Sequence, residues 1–568
     1  MDYRDAWCTQ AHYTVFDSDY GDGASFRVMA DVWRTDPHRS PHLHVIALCT
    51  QSDPDCLLPG FHRIPQPEPG LTLDLLNAPI DTALGQLAAR VDLFRLHGLE
   101  KAGTDFARAL ARVAAPQARL LCQGLTAGQV AALEAQGFVF EPGSEADRLA
   151  GRQKARCASR KPRPPQPPAP ERRAIVLGAG IAGSAACERL CARGWEVTLV
   201  ERHEKPAMEA SGNRAGIFMP LVSRDDNIPT RLTRAAYLYA LRHWERLGGI
   251  GPGRSIEGDA CGVLQLARDP GHAEVQRAIA ASGALPAGFA EWLEQPQAEA
   301  LLGLPAPDGG WLFRQGGWAR PGSVCEAMLA ACGGRLQQRF GVGSVRIFRE
   351  DEHWLVRDEQ GNVVARAPNL ILANGAGATQ LPHAAPLPLT TMRGQVSHLP
   401  ADMLPALPVV LCREAYLTPP SNGVVSAGAT YDLDDNPELS PASHEENLER
   451  LRGLLSDPQA ARGAPLQGRV GFRCIAPDRL PLVGRVPDFD AAGSTERLRD
   501  VPRHPGLYAL LGYASRGLIW AGWAAELLAA QLEGEPLPLE SALVDALDPA
   551  RFVLRARRTS RGPQAGEG

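Results

Sequence analysis

Nothing in this chain of 568 residues approaches the roughly 20 consecutive apolar residues that a membrane-spanning helix needs. Its start, Met1-Asp2-Tyr3-Arg4-Asp5-Ala6-Trp7-Cys8, has neither the basic beginning nor the apolar core of a secretory signal. The two absences point to a cytoplasmic protein without a membrane partner. The twelve cysteines form no Cys-x-x-Cys pair and gather no histidines, which argues against a metal site and against a disulfide framework. Cys187 and Cys191, one helical turn apart, read as core packing. No internal repeat is visible. A net charge of −5 gives no uniform pull on nucleic acid, so DNA is not an expected partner and RNA has to be drawn by a local basic patch.

What the chain does have is one complete dinucleotide-binding unit at its middle. A strand, Ala174-Ile175-Val176-Leu177, runs into Gly178, Gly180 and Gly183, then a helix rich in small residues, then a second strand, Glu196-Val197-Thr198-Leu199-Val200, ending at Glu201. Gly178 permits the tight turn, Gly180 lets backbone approach a pyrophosphate, and Gly183 lets helix and strand pack closely. Glu201 can take a ribose hydroxyl. The helix start supplies unpaired N–H donors and a partial positive charge for phosphates.

The length allows two to four domains. The clearest boundary is Lys161–Pro170, where six prolines in ten residues favour extended polyproline geometry. Residues 1–158 form one domain, 159–171 the linker and 172–555 a second domain, with 556–568 a mobile basic tail. From Asp147 to Arg173 nine Lys/Arg stand against two acids; the segment is either a phosphate-gripping patch or a solvated linker. The N-terminal domain alternates strands (43–48, 71–75) with helices (82–89, 106–113, 127–136), a pattern of parallel α/β sheet. In the second domain, a helix over 230–247 and strands at 262–266, 354–357, 395–399 and 424–428 lead to a final strand, 507–512, and helix, 521–532. The fold class is therefore α/β: a Rossmann-like N-terminal domain, then a nucleotide-binding Rossmann-type domain with an inserted β-rich substrate part. The nucleotide-binding parts are placed at about 172–260, 365–390 and 470–550, the substrate part at about 261–364 and 391–469.

Three further glycine-containing approaches surround the fingerprint: Asn369–Ala376 with Gly375, Arg469–Arg473 followed by Asp478–Gly484, and Gly512–Leu518 with Gly517 opening a helix. They suit a large flavin buried across the domain, that is, FAD. Here the sequence resembles a family. Residues 172–550 look like the FAD-dependent amine oxidoreductases of the D-amino-acid oxidase and glycine oxidase type. More closely, Ala210-Ser211-Gly212-Asn213-Arg214, Gly316-Gly317-Trp318, Arg393-Gly394-Gln395-Val396-Ser397-His398, Tyr416-Leu417-Thr418-Pro419, Gly471-Phe472-Arg473-Cys474 and Ser515-Arg516-Gly517-Leu518 resemble the bifunctional tRNA 5-methylaminomethyl-2-thiouridine biosynthesis family over nearly the whole chain. The resemblance implies oxidation of the 5-carboxymethylaminomethyl(-2-thio)uridine side chain at the tRNA wobble position, with release of glyoxylate and an aminomethyl product. It places Arg202, Ser211, Gly212 and Asn213 with the cofactor. It puts Arg473 where related oxidases place a carboxylate-binding guanidinium, the alternative being an exposed or structural arginine. Tyr416 either closes on the substrate or is an ordinary half-buried strand tyrosine, and Arg516 either stabilises the reduced flavin or caps the sheet edge.

The same resemblance implies an S-adenosylmethionine-dependent methyltransferase in the first domain, and there this chain departs from the pattern. Asp19-Tyr20-Gly21-Asp22-Gly23 keeps two of three glycines, Cys49 stands where the family has an acid for the ribose, and Leu96-His97-Gly98-Leu99 puts His97 at the place of the catalytic aspartate. Three losses together indicate a degenerate methyltransferase whose fold persists for tRNA binding or packing. Two other functions stay open: a small-molecule amino-acid oxidase or dehydrogenase sharing the flavin fold, and a non-enzymatic tRNA-binding flavoprotein.

Overall fold

The computed structural model describes residues 7–8, 10–49, 58–99, 102–141, 148–154, 168–491 and 496–560. Two compact units result: Met1–Pro170 with Glu526–Asp545, and Glu171–Ala525 with Ala546–Gly568. The segment 526–545 thus belongs with the first unit and not, as its position in 172–555 implied, with the flavin domain. Most of the proline run lies outside the described residues.

The first unit is built on an eight-stranded sheet in the order Gly60–Pro65, Leu71–Asn77, His42–Leu48, His12–Asp17, Val91–Leu96, Ala114–Gln123, Arg148–Gln153, Phe138–Phe140. The second to sixth of these are parallel, and both flanks are antiparallel. Buried on both faces, the inner strands are nearly continuous apolar runs. The helix Ala127–Ala135 starts where Thr126 and Gln129 cap each other's N–H groups. The expected helix over 82–89 is instead Ile80–Gln86, because Leu87 turns extended to lead into Val91–Leu96. Arg148–Gln153 is a sheet strand, so the front of the basic segment is folded structure and not linker.

Buried charge holds the outer strands of this sheet. Arg63, only 4% exposed, donates two hydrogen bonds to the Asp74 carboxylate at 2.8 and 2.7 Å. It also reaches Glu526 at 2.8 Å and the Pro536 carbonyl at 2.7 Å. Asp74 Oδ2, which accepts one of these two bonds, also contacts His44 Nε2 at 2.7 Å. Burial opposes the charge on Arg63, but Asp74, then Glu526 and Glu535, more than offset it and raise its pKa.

The second unit has two layers of function. Its nucleotide sheet runs Leu336–Arg339, Glu196–Val200, Arg173–Leu177, Asn369–Leu372, Arg503–Leu511, Leu482–Pro487. All these strands are parallel except the last. A second eight-stranded sheet includes Val263–Leu266, Val410–Cys412, Tyr416–Leu417, Val424–Gly428, Thr390–Pro400 and Gln467–Ile475.

Two boundaries shift from expectation. Leu336–Arg339 is the edge strand of the nucleotide sheet, and Trp354 and Val356 pack in the core beneath it with Ile175 and Leu177; the substrate part therefore gives up 336–357. Conversely, Gln467–Ile475 pairs along its whole length with Thr390–Pro400, so Arg473 stands on the substrate sheet. The last helix, Arg551–Ser560, extends through the first part of the supposed tail, with Arg551 and Arg555 both on Asp478.

Candidate active site

The strand order of the nucleotide sheet reverses around Arg173–Leu177, and the crevice for a ligand opens beyond the carboxyl ends of that strand and Asn369–Leu372. Gly178 sits there with φ 97°; a Cβ on it would lie 2.8 Å from the Ala373 carbonyl oxygen. One turn on, a Cβ on Gly183 would lie 1.8 Å from the Gly178 carbonyl oxygen. Neither position can carry a side chain. The helix Ile181–Cys191 begins at Gly180 with no side-chain cap of its own, and Ser211 accepts from the Ile181 N–H at 3.0 Å. Glu201, 8% exposed, accepts from the N–H of Ala179 at 2.6 Å and of His203 at 3.0 Å, which holds its carboxylate at the end of its strand beside the glycine turn. The Asn374 Oδ1 is shut from solvent with no hydrogen-bond partner, an acceptor placed at the same turn as Gly375, φ 57°. Gly517 opens the helix Gly517–Glu533, and a Cβ there would meet Ile181 at 3.3 Å, so two helix starts are brought together. A cradle of bare backbone, two helix N-termini and a buried acid fits a dinucleotide such as FAD.

Other expected cofactor residues take supporting places. Arg469 donates to the carbonyls of Met208 and Glu209 at 2.7 Å and to Asn213 at 3.4 Å. A Cβ on Gly212 would collide with the Arg469 guanidinium. This arginine, which the sequence placed at the start of a glycine-containing approach, ties the 208–213 segment to the substrate sheet. Arg202 is on the surface and pairs with Glu209. Gly484, φ 127°, lies in the edge strand opposite Ala509, apart from the Gly178 turn.

The second cluster lies on the substrate sheet. Arg473 is half-buried, its guanidinium 4.4 Å from the centre of the Tyr431 ring and donating to the Thr430 carbonyl at 3.2 Å. Its side chain crosses Gly394 of the next strand, where a Cβ would come within 1.9 Å of it. Tyr416 pairs in register with Gly428 and Cys412 and lies over Gly428, whose Cβ would be 2.7 Å from the phenol. Burial pushes the Tyr416 hydroxyl up to about 12, against the pull of Arg473, so it remains a neutral donor. Arg516 is lowered by burial, with Tyr431 and Cys412 opposing, and donates to the Met219 carbonyl at 3.4 Å. The turn carrying it is stitched to the end of the Arg473 strand by the Ala514 N–H to the Cys474 carbonyl at 3.0 Å. Arg473, Tyr416 and Arg516 are thus brought together with Tyr431, Gly394 and Gly428. The last three had no motif role in the sequence, although Gly394 sits inside the Arg-Gly-Gln-Val stretch.

In the first unit, the corresponding strand ends are closed by their own side chains. Asp17 accepts from Arg95 at 2.9 Å and contacts His97 at 2.7 Å. Ser18 donates to the His97 carbonyl at 2.7 Å and accepts its N–H at 2.8 Å. Cys49 is disulfide-bonded, a single bridge that the scattered cysteine spacing did not indicate. His12 and His42 come within 4.8 Å of Glu535 through their ligating atoms. Their rings stack in parallel at 4.6 Å, 10° apart.

The fold and these two clusters define a FAD-dependent oxidoreductase: residues 173–531 match the family described as DAO, FAD dependent oxidoreductase. Glycine oxidase from Geobacillus kaustophilus shares this fold, with TM-score 0.55 and 18% identity over 67% of this chain and 99% of that one. L-proline dehydrogenase from P. horikoshii does so with TM-score 0.55 and 16% identity over 68% and 98%. Over its whole length the chain is similar to the tRNA 5-methylaminomethyl-2-thiouridine biosynthesis bifunctional protein MnmC of Azoarcus sp. (strain BH72), 41% identical over 98% of this chain and 92% of that protein. The Paraburkholderia phytofirmans protein of the same name is 39% identical over 98% and 92%. The chain belongs to the MnmC family.

Proposed function

We propose that this chain removes the carboxymethyl group from 5-carboxymethylaminomethyl(-2-thio)uridine at the wobble position of tRNA, giving the 5-aminomethyl nucleoside and glyoxylate. The observation that carries this reading is the Arg473 guanidinium, seated over Gly394 beside Tyr416 and Arg516, in a chain of this family. The substrate side chain is an N-substituted glycine, and a guanidinium fork is the group that fixes a carboxylate in one orientation. FAD, when bound, supplies the two-electron oxidation of the carbon–nitrogen bond, and water then splits the resulting imine. Gly178, Gly180, Gly183, Glu201, Ser211, Gly375 and Gly517 would hold the cofactor, with Arg202, Gly212, Asn213 and Gly484 around them. Tyr416 donates to the bound substrate as a neutral phenol, and Arg516 places a positive charge at the flavin-side turn. Oriented by Arg473, the amine needs no base from the protein if it arrives neutral.

The family's S-adenosylmethionine-dependent step is lost, in our reading, because the turn after Asp17 keeps two of three glycines, because Cys49 and His97 replace the ribose acid and the catalytic aspartate, and because Asp17 is already engaged by Arg95 and His97. Nucleoside mass spectrometry of tRNA from a deletion strain carrying this chain tests both parts. Conversion of the carboxymethylaminomethyl nucleoside to one that stops at aminomethyl is expected. An uncleared precursor would reject the oxidase reading, and a methylaminomethyl product would reject the loss.

A further inference from the structure

Tyr431 is 52% exposed, an uncommon setting for an aromatic ring at the heart of a site. Its backbone is nevertheless held on both sides. Thr430, fully buried, exchanges hydrogen bonds with Gln395 through its N–H at 3.2 Å and its hydroxyl at 3.1 Å. Asp432 exchanges N–H and carbonyl with Arg393 at 3.0 and 2.9 Å. Arg393, 1% exposed, then anchors the rest of the loop through Asp434 at 3.3 Å and the carbonyls of Asn436 and Glu438, both at 2.7 Å. One face of the ring carries the Arg473 guanidinium at 4.4 Å. An exposed ring on a fixed backbone is a preorganised contact surface, since little conformational freedom remains to be lost when a ligand meets it.

We propose that Tyr431 is a specificity residue that covers the carboxylate anchor and contacts the pyrimidine ring of the tRNA-borne substrate. The proposal rests on the oxidase reading above. Between the carboxylate carbon and C5 of the base lie four bonds of about 1.5 Å, so an extended arm spans about 5 Å. A carboxylate on Arg473 therefore brings the base into the neighbourhood of a ring that itself touches Arg473. Base stacking on aromatic side chains is sequence-tolerant and strong enough to separate a nucleoside from a bare glycine derivative. A free amino acid offers Tyr431 nothing beyond its carboxylate.

The test uses the full flavin-loaded chain and two ligands: tRNA carrying the carboxymethylaminomethyl nucleoside, and N-methylglycine, which has the arm without the base. Anaerobic flavin bleaching gives kcat/KM for the tRNA, and perturbation of the flavin spectrum gives Kd for N-methylglycine. Tyr431→Ala is expected to lower kcat/KM for tRNA by about 10-fold or more beyond whatever factor it takes from the Kd for N-methylglycine, and Tyr431→Phe to restore the tRNA value. Equal losses on both ligands would make Tyr431 a support for Arg473 only, and no loss on either would leave it without a role; both overturn the proposal. Wild-type protein that does not bleach with this tRNA overturns the oxidase reading itself, and the proposal with it.

Discussion

The chain contains two parallel sheets that end in a turn after the strand that begins each nucleotide unit, and the two turns have had opposite fates. After Arg173–Leu177 the turn is bare: Gly178 and Gly183 cannot accept a Cβ, and Glu201 waits at the next strand. After His12–Asp17 the turn is filled. Tyr20 lies where a Cβ on Gly23 would come within 2.6 Å of its hydroxyl, and Asp17, Arg95, His97 and Ser18 bond to one another. A turn that excludes side chains and a strand end bonded to its own side chains thus stand on sheets of similar build. What preserves the first sheet is at the other side of it, in the Arg63, Asp74, His44 and Glu526 group, which serves no ligand turn.

The largest expected effect breaks the comparison on the bare side. Gly183→Val forces atoms into the Gly178 carbonyl, an overpacking of about 3 kcal/mol, equal to about 100-fold in flavin affinity. The purified variant should be nearly colourless, with bound FAD measured by absorbance after desalting. Full occupancy would show that this cradle does not hold the cofactor. On the substrate sheet, Arg473→Ala should cost about 3 kcal/mol, near 100-fold in kcat/KM for the tRNA, with flavin content unchanged.

The opposite turn is sharpened by removing what supports its sheet. Arg63→Ala leaves buried carboxylates without their guanidinium, and breaking such a group costs about 3–5 kcal/mol. The first unit should then unfold at a lower temperature while visible absorbance and the second unit's melting stay as they were. A single shifted transition for both would mean that the two units do not melt separately. A chain truncated near residue 160 would lack Glu526 and Pro536, both partners of Arg63, so binding studies on this region need the entire chain. In that chain, calorimetry should detect no S-adenosylmethionine binding. Restoring the family residues with Cys49→Glu and His97→Asp together should bring weak binding into range, a gain of at least about 10-fold. Saturable binding to the unmodified chain would instead show that the filled turn still opens.

The parts of this molecule visible from sequence were those where one residue type has one physical reason. Gly178 and Gly183 could be placed because a tight turn and a close packing demand them, and the strands Glu196–Val200, Asn369–Leu372 and Val424–Gly428 follow their apolar runs without slippage. The partners that make the site were hidden where contact depends on the fold. Gly394 is needed only because Arg473 crosses it from the neighbouring strand, and Tyr431 stands in a loop whose shape comes from Arg393, nearly 40 residues earlier. Trp354 was legible as a strand residue but not as core of the nucleotide sheet, since alternation gives the face of a strand and not the sheet it joins. The same holds for Gly484, whose positive φ is real but whose place on an edge strand no local pattern shows.

The smallest expected effect concerns His97. Its hydrogen bond to Asp17 raises its pKa above 6.5, against burial and Arg95. A histidine with a raised folded-state pKa contributes stability that is fully present below the unfolded value of about 6.5 and is lost as pH rises through the folded value. Since the imidazole is about one third exposed, solvent screens the pair and the contribution is at most about 1 kcal/mol. Denaturation of the first unit, followed between pH 5 and pH 9, should therefore show a modest loss of stability on the alkaline side that His97→Asn removes, and the His97 ring resonances should titrate above 6.5. If they titrate below 6.5, the Asp17 contact is not formed in solution. The turn would then be open in the way the flavin turn is, and the contrast between the two sheets would fall to the missing glycine and acid alone.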